Sequence, residues 1–325
     1  MIKYDIGHFN KQFAFRPEII NSDKLKVFSG VVVGGMGGSH LSADLLKMLK
    51  PELNLTVHSD YDLPAGGNMS ETLFIASSYS GNTEETLNFA EKAIQGRLPL
   101  AIIASGGPAS TQGGKLLEIA KTHNLPYVIL PIGLQPRVAL GYSFLALLTV
   151  LGETELLERA YGLEQGLNPE AFEEAGQELA NILFDKISLV YSALENSALG
   201  YIWKIKLNET GKVPAFCNSL PELDHNEIVG FDNLTSSKKL KNDFHAIFLQ
   251  TGDEHPRILR RIDLTKKLLE SRSIPVSILA SAGETKLEKT FNSIILADWT
   301  SFYIAKLNNV DPDRVDIVEE LKRSL

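Results

Sequence analysis

The sequence predicts an α/β fold built from two doubly wound α/β/α sandwich domains with mainly parallel sheets. Three observations carry this prediction. Short apolar runs of strand length alternate with helical patterns along most of the chain. The alternation stops at an acidic stretch near the middle of the chain and then resumes. The length of 325 residues fits two domains of roughly 150 residues each.

The elements of the first predicted domain alternate in order. Apolar runs bounded by turn residues predict strands at VFSGVVVGG, LNLTVHS, TLFIASS, LPLAIIAS and PYVILP. Helical patterns predict helices at LLKMLK, from Thr83 to about Gln95, at KLLEIAK and from Pro136 to Leu151. A strand, a helix and a further strand form the repeating unit of a parallel sheet.

The second predicted domain follows an acidic, helical stretch that Asn168 and Pro169 interrupt. Strands are predicted at ISLVYSA, HAIFLQ and PVSILA, and helices from about Ser197 to Thr210, from His255 to about Ser271 and around Asp298 to Leu307. We therefore predict an N-terminal domain at 1–152, a helical connecting segment at 153–180 and a C-terminal domain at 181–325.

The composition excludes several classes of partner. The formal net charge is -8, so the chain as a whole does not attract nucleic acid or an anionic membrane. The opening segment MIKYDIGHFNKQF lacks the apolar stretch of a signal peptide, and the longest apolar run is too short to span a bilayer. We therefore expect a cytoplasmic protein. Its single cysteine, Cys217, excludes an internal disulfide.

Two loops that follow strands are suited to a phosphate group. VVVGGMGGSH places four glycines and a serine after a run of valines. SSYSGNTEET places several hydroxyls at a helix start, where they and the free backbone N–H groups can bind a phosphate monoester without Lys or Arg. In doubly wound sheets, ligands lie at the carboxyl ends of the strands. The predicted phosphate site consists of Gly37, Gly38, Ser39, Ser78, Ser80 and Thr83.

Each loop also has another interpretation. Gly35 and Gly37 begin the dinucleotide pattern G-x-G-x-x-G, but His40 stands at its third glycine position. In the serine loop, Asn82 could cap the helix, with Glu85 as its capping-box partner. A cap needs one such residue, whereas this loop has four hydroxyls within seven positions.

Two charged residues stand at helix ends where their charge is unfavourable. Arg137 follows Pro136 at a predicted helix start, where a cation opposes the dipole, and a nearby anion would explain it. The alternative is a solvent-facing arginine. Glu209 lies in the last turn of its helix, before a predicted cap at Gly211, where the dipole favours the protonated acid and so suits a base. The alternative is an exposed glutamate at a frayed helix end.

Two further residues are weaker candidates. His225 lies in PELDHNEIVGF among three carboxylates and could be a proton shuttle or a surface residue. No second histidine stands at a ligand spacing, so a metal site is not favoured. Lys306, near the end of the last predicted helix, complements the dipole there, which by itself explains its position.

Five segments together resemble a known family: GGMGGSHLSADLL, SSYSGNTEETL, QPRVALGYSF, KLNETGKVPAFCNSLPELDHNEIVGF and SFYIAKLNNVDPDRVDIVEELK. The family is that of the bifunctional phosphoglucose/phosphomannose isomerases, two-domain members of the sugar isomerase (SIS) fold group. The serine loop is shared by all SIS proteins and indicates the fold and a sugar phosphate. The NET and ELDHNE segments indicate this branch.

The resemblance implies reversible conversion of glucose 6-phosphate, and of mannose 6-phosphate, into fructose 6-phosphate. It implies that the six loop residues hold the phosphate, that Glu209 moves a proton between C1 and C2 through an enediolate, and that Arg137 lies beside that intermediate. His225 and Lys306 would open the sugar ring, with the histidine supplied by the other subunit of a homodimer. No metal or other cofactor is implied. Thr300 is a candidate for tolerating the C2 epimer.

Other classes of function remain open from the sequence. A non-catalytic SIS sensor of sugar phosphates needs the serine loop but has no use for Glu209, His225 and Lys306 together, and no basic DNA-binding segment flanks the domains. An SIS enzyme that acts on another sugar phosphate, such as an amino sugar, is a second alternative. A nicotinamide enzyme is disfavoured by the missing third glycine.

Overall fold

Parallel strands pair into two sheets. The computed structural model describes residues 2–66, 68–105, 114–232 and 243–324, with the side chains of 322 and 323 left aside. The strands are β1 (Gly30–Gly34), β2 (Leu55–His58), β3 (Thr72–Ser78), β4 (Leu100–Ser105), β5 (Tyr127–Leu130), β6 (Ile187–Ala193), β7 (Ala215–Leu220), β8 (Phe244–Gln250) and β9 (Val276–Ala280). The sheet orders are β2-β1-β3-β4-β5 and β7-β6-β8-β9, and all neighbours run parallel. The predicted α/β class with parallel sheets is confirmed.

Helices precede, separate and follow the strands. They are α1 (Ile2–Gly7), α2 (Leu41–Leu49), α3 (Glu84–Gln95), α4 (Lys115–Thr122), α5 (Leu140–Leu151), α6 (Thr154–Gly166), α7 (Glu173–Leu183), α8 (Ser197–Glu209), α9 (Pro256–Ser271), α10 (Lys286–Leu307) and α11 (Asp316–Ser324). Every residue of β1 and β4 is buried, which explains their continuous apolar sequences. Within the described part of the chain, none of the helices combines the length and apolar character needed to cross a membrane.

The chain divides into two compact units. One comprises Phe9–Gly166, and the other comprises Met1–His8 together with Leu167–Leu325. Helix α6 therefore belongs to the first unit and α7 to the second. The structure thus places the two halves of the predicted connecting segment at 153–180 in different units. In the second unit α7 packs closely on α10, because a Cβ atom added at Gly176 would stand 2.4 Å from the Cβ of Trp299.

Two predicted helix starts are wrong, and one strand was not predicted. Helix α5 begins at Leu140 rather than Pro136, because residues 136–139 form a turn in which Val138 N donates to Gln135 O. Helix α10 begins at Lys286, well before Asp298, since Thr285 and Glu288 form a capping box there. Strand β7 was not predicted, because polar residues and an exposed phenylalanine interrupt its apolar pattern.

Candidate functional site

The glycine turn leads from β1 into α2 through a short 3-10 helix at Gly37–Ser39. Gly37 has a φ of 52°, in the left-handed region that favours glycine. A Cβ atom at Gly38 would stand 2.9 Å from both the backbone N of Arg137 and the carbonyl carbon of Pro136. Only glycine permits this approach, so the glycine turn lies directly against the 136–139 turn.

The hydroxyls of the serine loop converge at the start of α3. Ser78 Oγ lies 2.9 Å from Thr83 Oγ1 and 3.4 Å from Ser80 Oγ, and it accepts a hydrogen bond from Gly81 N at 3.1 Å. Thr83 is the N-cap residue of α3, but its side chain makes no capping hydrogen bond. Hydroxyls beside the N–H groups of a helix start form an arrangement that can bind an oxyanion.

The capping interpretation of the serine loop is wrong. Asn82 is not the N-cap of α3. Its side-chain oxygen accepts a hydrogen bond from Lys115 N at 3.1 Å, and its amide nitrogen donates to Ser80 O at 3.1 Å. Asn82 therefore stabilises the loop, and its backbone N also donates to Ser80 Oγ at 3.3 Å.

Hydrogen bonds join the glycine turn to the serine loop. Ser77 Oγ donates to Ser39 O at 2.8 Å, and Tyr79 N donates to Ser39 Oγ at 3.0 Å. The structure thus brings all six predicted phosphate residues into one cluster at the carboxyl ends of β1 and β3. Their binding of phosphate stays a prediction.

Arg137 is buried beside this cluster. Its exposed fraction is 2%, so the alternative of a solvent-facing arginine is wrong. It lies in the turn that precedes α5, and its Nη1 lies 3.5 Å from Gln135 Oε1. A buried guanidinium is costly unless anionic or polar groups compensate its charge, and an oxyanion bound at the cluster would be one such group.

His40, which the sequence left without an assignment, pairs with an acid on its own helix. Its Nδ1 lies 2.6 Å from Asp44 Oδ2, and only 5% of the residue is exposed. The spacing of four residues is the signal that could have revealed this pair, because such residues face each other on a helix. The pair lies directly after the glycine turn.

Glu209 is the last residue of α8 and is half-buried. The predicted cap at Gly211 is wrong, because the left-handed residue is Lys212, with a φ of 58°. Glycine at 211 instead allows close approach, since a Cβ atom there would stand 2.7 Å from Leu207 O. The Lys212 ammonium donates to the carbonyl oxygens of Glu209 and Arg314, which fixes the chain that follows the helix.

A cavity of about 610 Å³ opens beside Glu209. Its other lining residues include Asn208, Lys212, Asp311 and Arg314. Its volume falls within the range of sites for small molecules, and two of its lining side chains are cations. The carboxylate of Glu209 therefore stands at a space that can admit a small ligand.

His225 is exposed in a short 3-10 helix at Glu222–His225. The three carboxylates around it bind other side chains. Glu227 accepts from Tyr191 OH at 2.6 Å, and Asp224 accepts from Arg261 Nη1 at 2.8 Å. Glu222 accepts from Asn226 at 2.6 Å. Across the described residues, no group of three His, Cys, Asp or Glu side chains could hold a metal ion. The acids therefore shape the loop that presents His225.

Lys306 is exposed in the last turn of α10, with its Nζ 5.5 Å from the centre of the Phe302 ring. Thr300, on the same helix, is fully buried and donates its hydroxyl to Leu296 O at 2.7 Å. The hydroxyl of Thr300 is therefore used within the helix, whereas the ammonium of Lys306 is open to solvent.

Sequence reasoning missed a buried ion pair between α8 and α10. Lys206 Nζ lies 2.6 Å from Asp298 Oδ1, and both side chains are fully buried. The pair joins the helix that ends at Glu209 to the helix that carries Lys306. The available signal was a lysine between Ile205 and Leu207 on a largely apolar helix, where a charge has to find a partner.

The candidate residues thus fall into two sets, one in each unit. The phosphate cluster and Arg137 come together in the unit Phe9–Gly166. Glu209, His225 and Lys306 belong to the second unit, at the end of α8, after β7 and at the end of α10.

Comparisons with protein families, with curated proteins and with solved structures all find sugar-phosphate enzymes. Residues 172–325 match the family described as bacterial phospho-glucose isomerase C-terminal SIS domain. The chain is 34% identical to a bifunctional phosphoglucose/phosphomannose isomerase of Aquifex aeolicus, over 98% of this chain and 96% of the relative. It is 35% identical to one of Caldicellulosiruptor bescii, over 91% and 89%. The solved structure of glucosamine-6-phosphate deaminase from Thermotoga maritima shares the fold, with a TM-score of 0.69 at 14% identity over 96% and 95% of the two chains.

Proposed function

The chain belongs to the bifunctional phosphoglucose/phosphomannose isomerases, and on this premise we propose how its residues carry out the reaction. It is an aldose–ketose isomerase that converts glucose 6-phosphate and mannose 6-phosphate into fructose 6-phosphate and back. The observation that carries this assignment is the 34% identity to such an enzyme over 98% of the chain. We further propose a homodimer that works in the cytoplasm.

Phosphate binding is the first proposed step. The hydroxyls of Ser39, Ser78, Ser80 and Thr83, with the backbone of Gly37 and Gly38, hold the phosphate. The hydroxyls of Ser80 and Thr83 lie within 3.4 Å of Ser78 Oγ at the start of α3, which supports this role. Neutral donors and a helix start can bind a phosphate without a lysine.

Ring opening is the second step. His225 of the partner subunit and Lys306 move protons at the ring oxygen and at the C1 hydroxyl, which releases the open-chain aldose. Both side chains are exposed on this chain, as groups that complete a site with a second subunit would be. A histidine titrates near neutral pH, so it can both give and take a proton.

Proton transfer between C2 and C1 is the chemical step. The Glu209 carboxylate takes the proton from C2, and the electron pair of that C–H bond forms the double bond of a cis-enediolate with its charge on O1. Returning the proton to C1 while the O2 proton moves to O1 gives the ketose. Arg137 stabilises the enediolate, and an oriented guanidinium in a partly dry site strongly lowers such a barrier. One carboxylate suffices for this transfer, without a metal or nicotinamide.

A coupled assay tests the proposal. Fructose 6-phosphate formation is measured from glucose 6-phosphate and separately from mannose 6-phosphate, with EDTA present. We expect turnover of both sugars, and Glu209→Gln should bind sugar phosphate but lose turnover. Glu155→Gln, at an exposed glutamate of α6, is the matched control and should remain active.

Each contrary result has a distinct meaning. Binding of both sugar phosphates without turnover by the wild type would favour a sensor. Turnover of only an amino sugar phosphate would favour another SIS enzyme. Full activity of Glu209→Gln would remove this residue from the mechanism.

A further inference from the structure

The second sheet repeats the plan of the first. In the order β7-β6-β8-β9, strand β6 takes the place of β1 and β8 the place of β3. The loop after β8 therefore corresponds to the serine loop. The 3-10 helix at Leu194–Asn196 after β6 corresponds to the one at Gly37–Ser39 after β1. Each unit thus has the same pair of neighbouring loops at the carboxyl ends of its strands.

The loop after β8 surrounds a carboxylate of its own. Glu254 Oε1 accepts hydrogen bonds from Thr251 N at 2.6 Å and from Asn196 Nδ2 at 3.0 Å. Thr251 Oγ1 also lies 3.0 Å from Glu254 Oε1, but its closer acceptor is Asp253 Oδ1. Its Oε2 accepts from Gly252 N at 2.8 Å. Only 4% of Glu254 is exposed. Two backbone N–H groups and a side-chain amide thus converge on one buried carboxylate.

The corresponding loop of the first unit has no carboxylate of its own. Its loop at 77–83 has the sequence SSYSGNT, which contains no acid. In both units a residue of the 3-10 helix forms a hydrogen bond with the loop that follows the neighbouring strand of the sheet, β3 in the first unit and β8 in the second. Ser39 Oγ accepts from Tyr79 N at 3.0 Å, and Asn196 Nδ2 donates to Thr251 Oγ1 at 3.0 Å. The two units therefore differ chiefly in that the second loop contains its own carboxylate, that of Glu254, whereas the first would receive its anion from a ligand.

Two lysines lie near the second loop, and one of them faces its second carboxylate, Asp253. Lys286 Nζ lies 3.8 Å from Asp253 Oδ2, and a Cβ atom at Gly252 would stand 3.6 Å from Lys289 Nζ. Buried N–H groups that lack an acceptor are costly, whereas a carboxylate or a phosphate oxygen satisfies them with strong, charge-assisted bonds.

We propose that the loop at 251–254 with Asn196 is an anion-binding cradle that the Glu254 carboxylate closes. The second unit consequently takes up no sugar phosphate at this position, and each chain binds one, at the serine loop. Removing the carboxylate opens the cradle to a small oxyanion. The closed cradle concerns donors that the isomerase mechanism does not use, whereas the count of one sugar phosphate per chain rests on the proposed phosphate site at the serine loop.

Thermal unfolding with inorganic phosphate as the probe tests the cradle. In a buffer free of phosphate and sulfate, Glu254→Ala should melt several degrees below the wild type, because its donors lose their acceptor. Millimolar phosphate should then raise the melting temperature of this variant by several degrees more than that of the wild type. Glu254→Gln keeps the cradle filled, so its phosphate response should match the wild type.

Glu173→Ala is the control for a lost carboxylate elsewhere in the same unit. Glu173 pairs with Lys3 at 2.7 Å and accepts from Tyr303 OH, so its loss removes side-chain contacts without opening a loop of backbone N–H groups. Its phosphate response should equal that of the wild type. An equal response of Glu254→Ala and the wild type would overturn the proposal.

A binding count on the wild type keeps the proposal testable even if Glu254→Ala does not fold. Calorimetric titration with glucose 6-phosphate should give one bound molecule per chain. Two bound molecules per chain would overturn the closed cradle. Neither measurement reads turnover, so a failure here is separate from a failure of the isomerase mechanism.

Discussion

Ser80 is the exposed member of the hydroxyl cluster, so its contribution to binding can be separated from folding. On its proposed role, replacing Ser80 by alanine removes one donor to the phosphate, and a hydrogen bond to a charged group contributes about 1.5 kcal/mol. We expect KM for glucose 6-phosphate to rise about tenfold with kcat nearly unchanged, because the phosphate is bound equally in ground state and transition state. Steady-state kinetics check this.

The control for Ser80→Ala is Ser70→Ala. Ser70 is also exposed, and its hydroxyl bonds Asn68 Oδ1 at 2.8 Å, outside the cluster. Unchanged kinetics are expected there. A Ser80→Ala enzyme with normal KM and reduced kcat would argue against a role in holding the phosphate.

His245 gives the folded protein a dependence on pH. Burial, with a smaller effect of the Lys186 charge, lowers the pKa of His245 from 6.5 to about 4. Between these values the unfolded chain takes up a proton that the folded chain does not. The free energy of unfolding should therefore fall as the pH drops below about 6.5. The loss of stability caused by this residue should reach about 3 kcal/mol near pH 4.

Urea unfolding at pH 7.5 and pH 4.5 measures this effect. His245→Gln keeps a donor for Ser277, whose hydroxyl lies 2.8 Å from His245 Nε2, and should lose clearly less stability on acidification than the wild type. His123→Gln, at an exposed histidine, should behave like the wild type. Identical acid losses in all three proteins would refute the assignment.

Some single residues were predictable from the sequence and others were not. The grouping of the Ser78, Ser80 and Thr83 hydroxyls was predictable, because the strand, the loop and the helix start that carry them are adjacent in the chain. The burial of Arg137 was not, since it depends on the approach of Gly38, about a hundred residues earlier. His40 and Asp44 were within reach, because their spacing alone places them together.

At the scale of elements, the buried pair of Lys206 and Asp298 holds α8 against α10. Removing one partner leaves an uncompensated buried charge, and Lys206→Met should lower the free energy of unfolding by about 3–5 kcal/mol. The combined change Lys206→Met with Asp298→Leu should restore most of this loss, because no charge is then left unpaired. Denaturant unfolding of the two singles and the double variant completes the cycle.

The same Lys206 and Asp298 variants can also be tested for their effect on the position of Glu209. Lys206 O accepts from Thr210 N at 2.9 Å, so the pair fixes the turn in which the helix ends. We expect Lys206→Met to reduce kcat more than it raises KM wherever the chain remains folded. A stable double variant with full kcat would show that apolar packing positions the helix equally well.

Element boundaries depended on contacts that sequence patterns do not contain. The turn before α5 carries apolar residues that fit a helix, yet its backbone forms a separate turn that lies against Gly38. Strand β7 is the edge of its sheet and exposes Phe216, so it lacks the pattern of a buried strand. The extra turns of α10 were signalled by Thr285 and Glu288, whose capping spacing the prediction did not use.

At the scale of the whole molecule, the proposed sharing of His225 between subunits predicts complementation. A Glu209→Gln chain and a His225→Ala chain, each inactive alone, should form hybrid dimers with one intact site. Random exchange should then restore about a quarter of wild-type activity. Native mass spectrometry verifies the hybrids. Proven hybrids without activity would show that each chain forms its own site.

The partition of the chain into units was only partly visible in the sequence. Alternation of strands and helices revealed two α/β repeats, because each repeat is local. Helix α1 precedes the first repeat but belongs to the second unit, where Ile2 and Ile6 are buried and the helix packs against α10. Packing of the first residues against a helix far along the chain cannot be read from the local pattern of apolar residues.

The close approach of Gly38 to the backbone of Pro136 and Arg137 has a consequence for which sugars fit. This contact holds the backbone at Arg137 against the glycine turn. On the proposed roles of the phosphate cluster and Arg137, the two groups would then measure the length of the sugar between its terminal phosphate and its reacting carbons. Such a measure of length is insensitive to the configuration of a single carbon. We therefore expect pentose phosphates to be rejected by their length, while two hexose phosphates that differ only at C2 are both accepted.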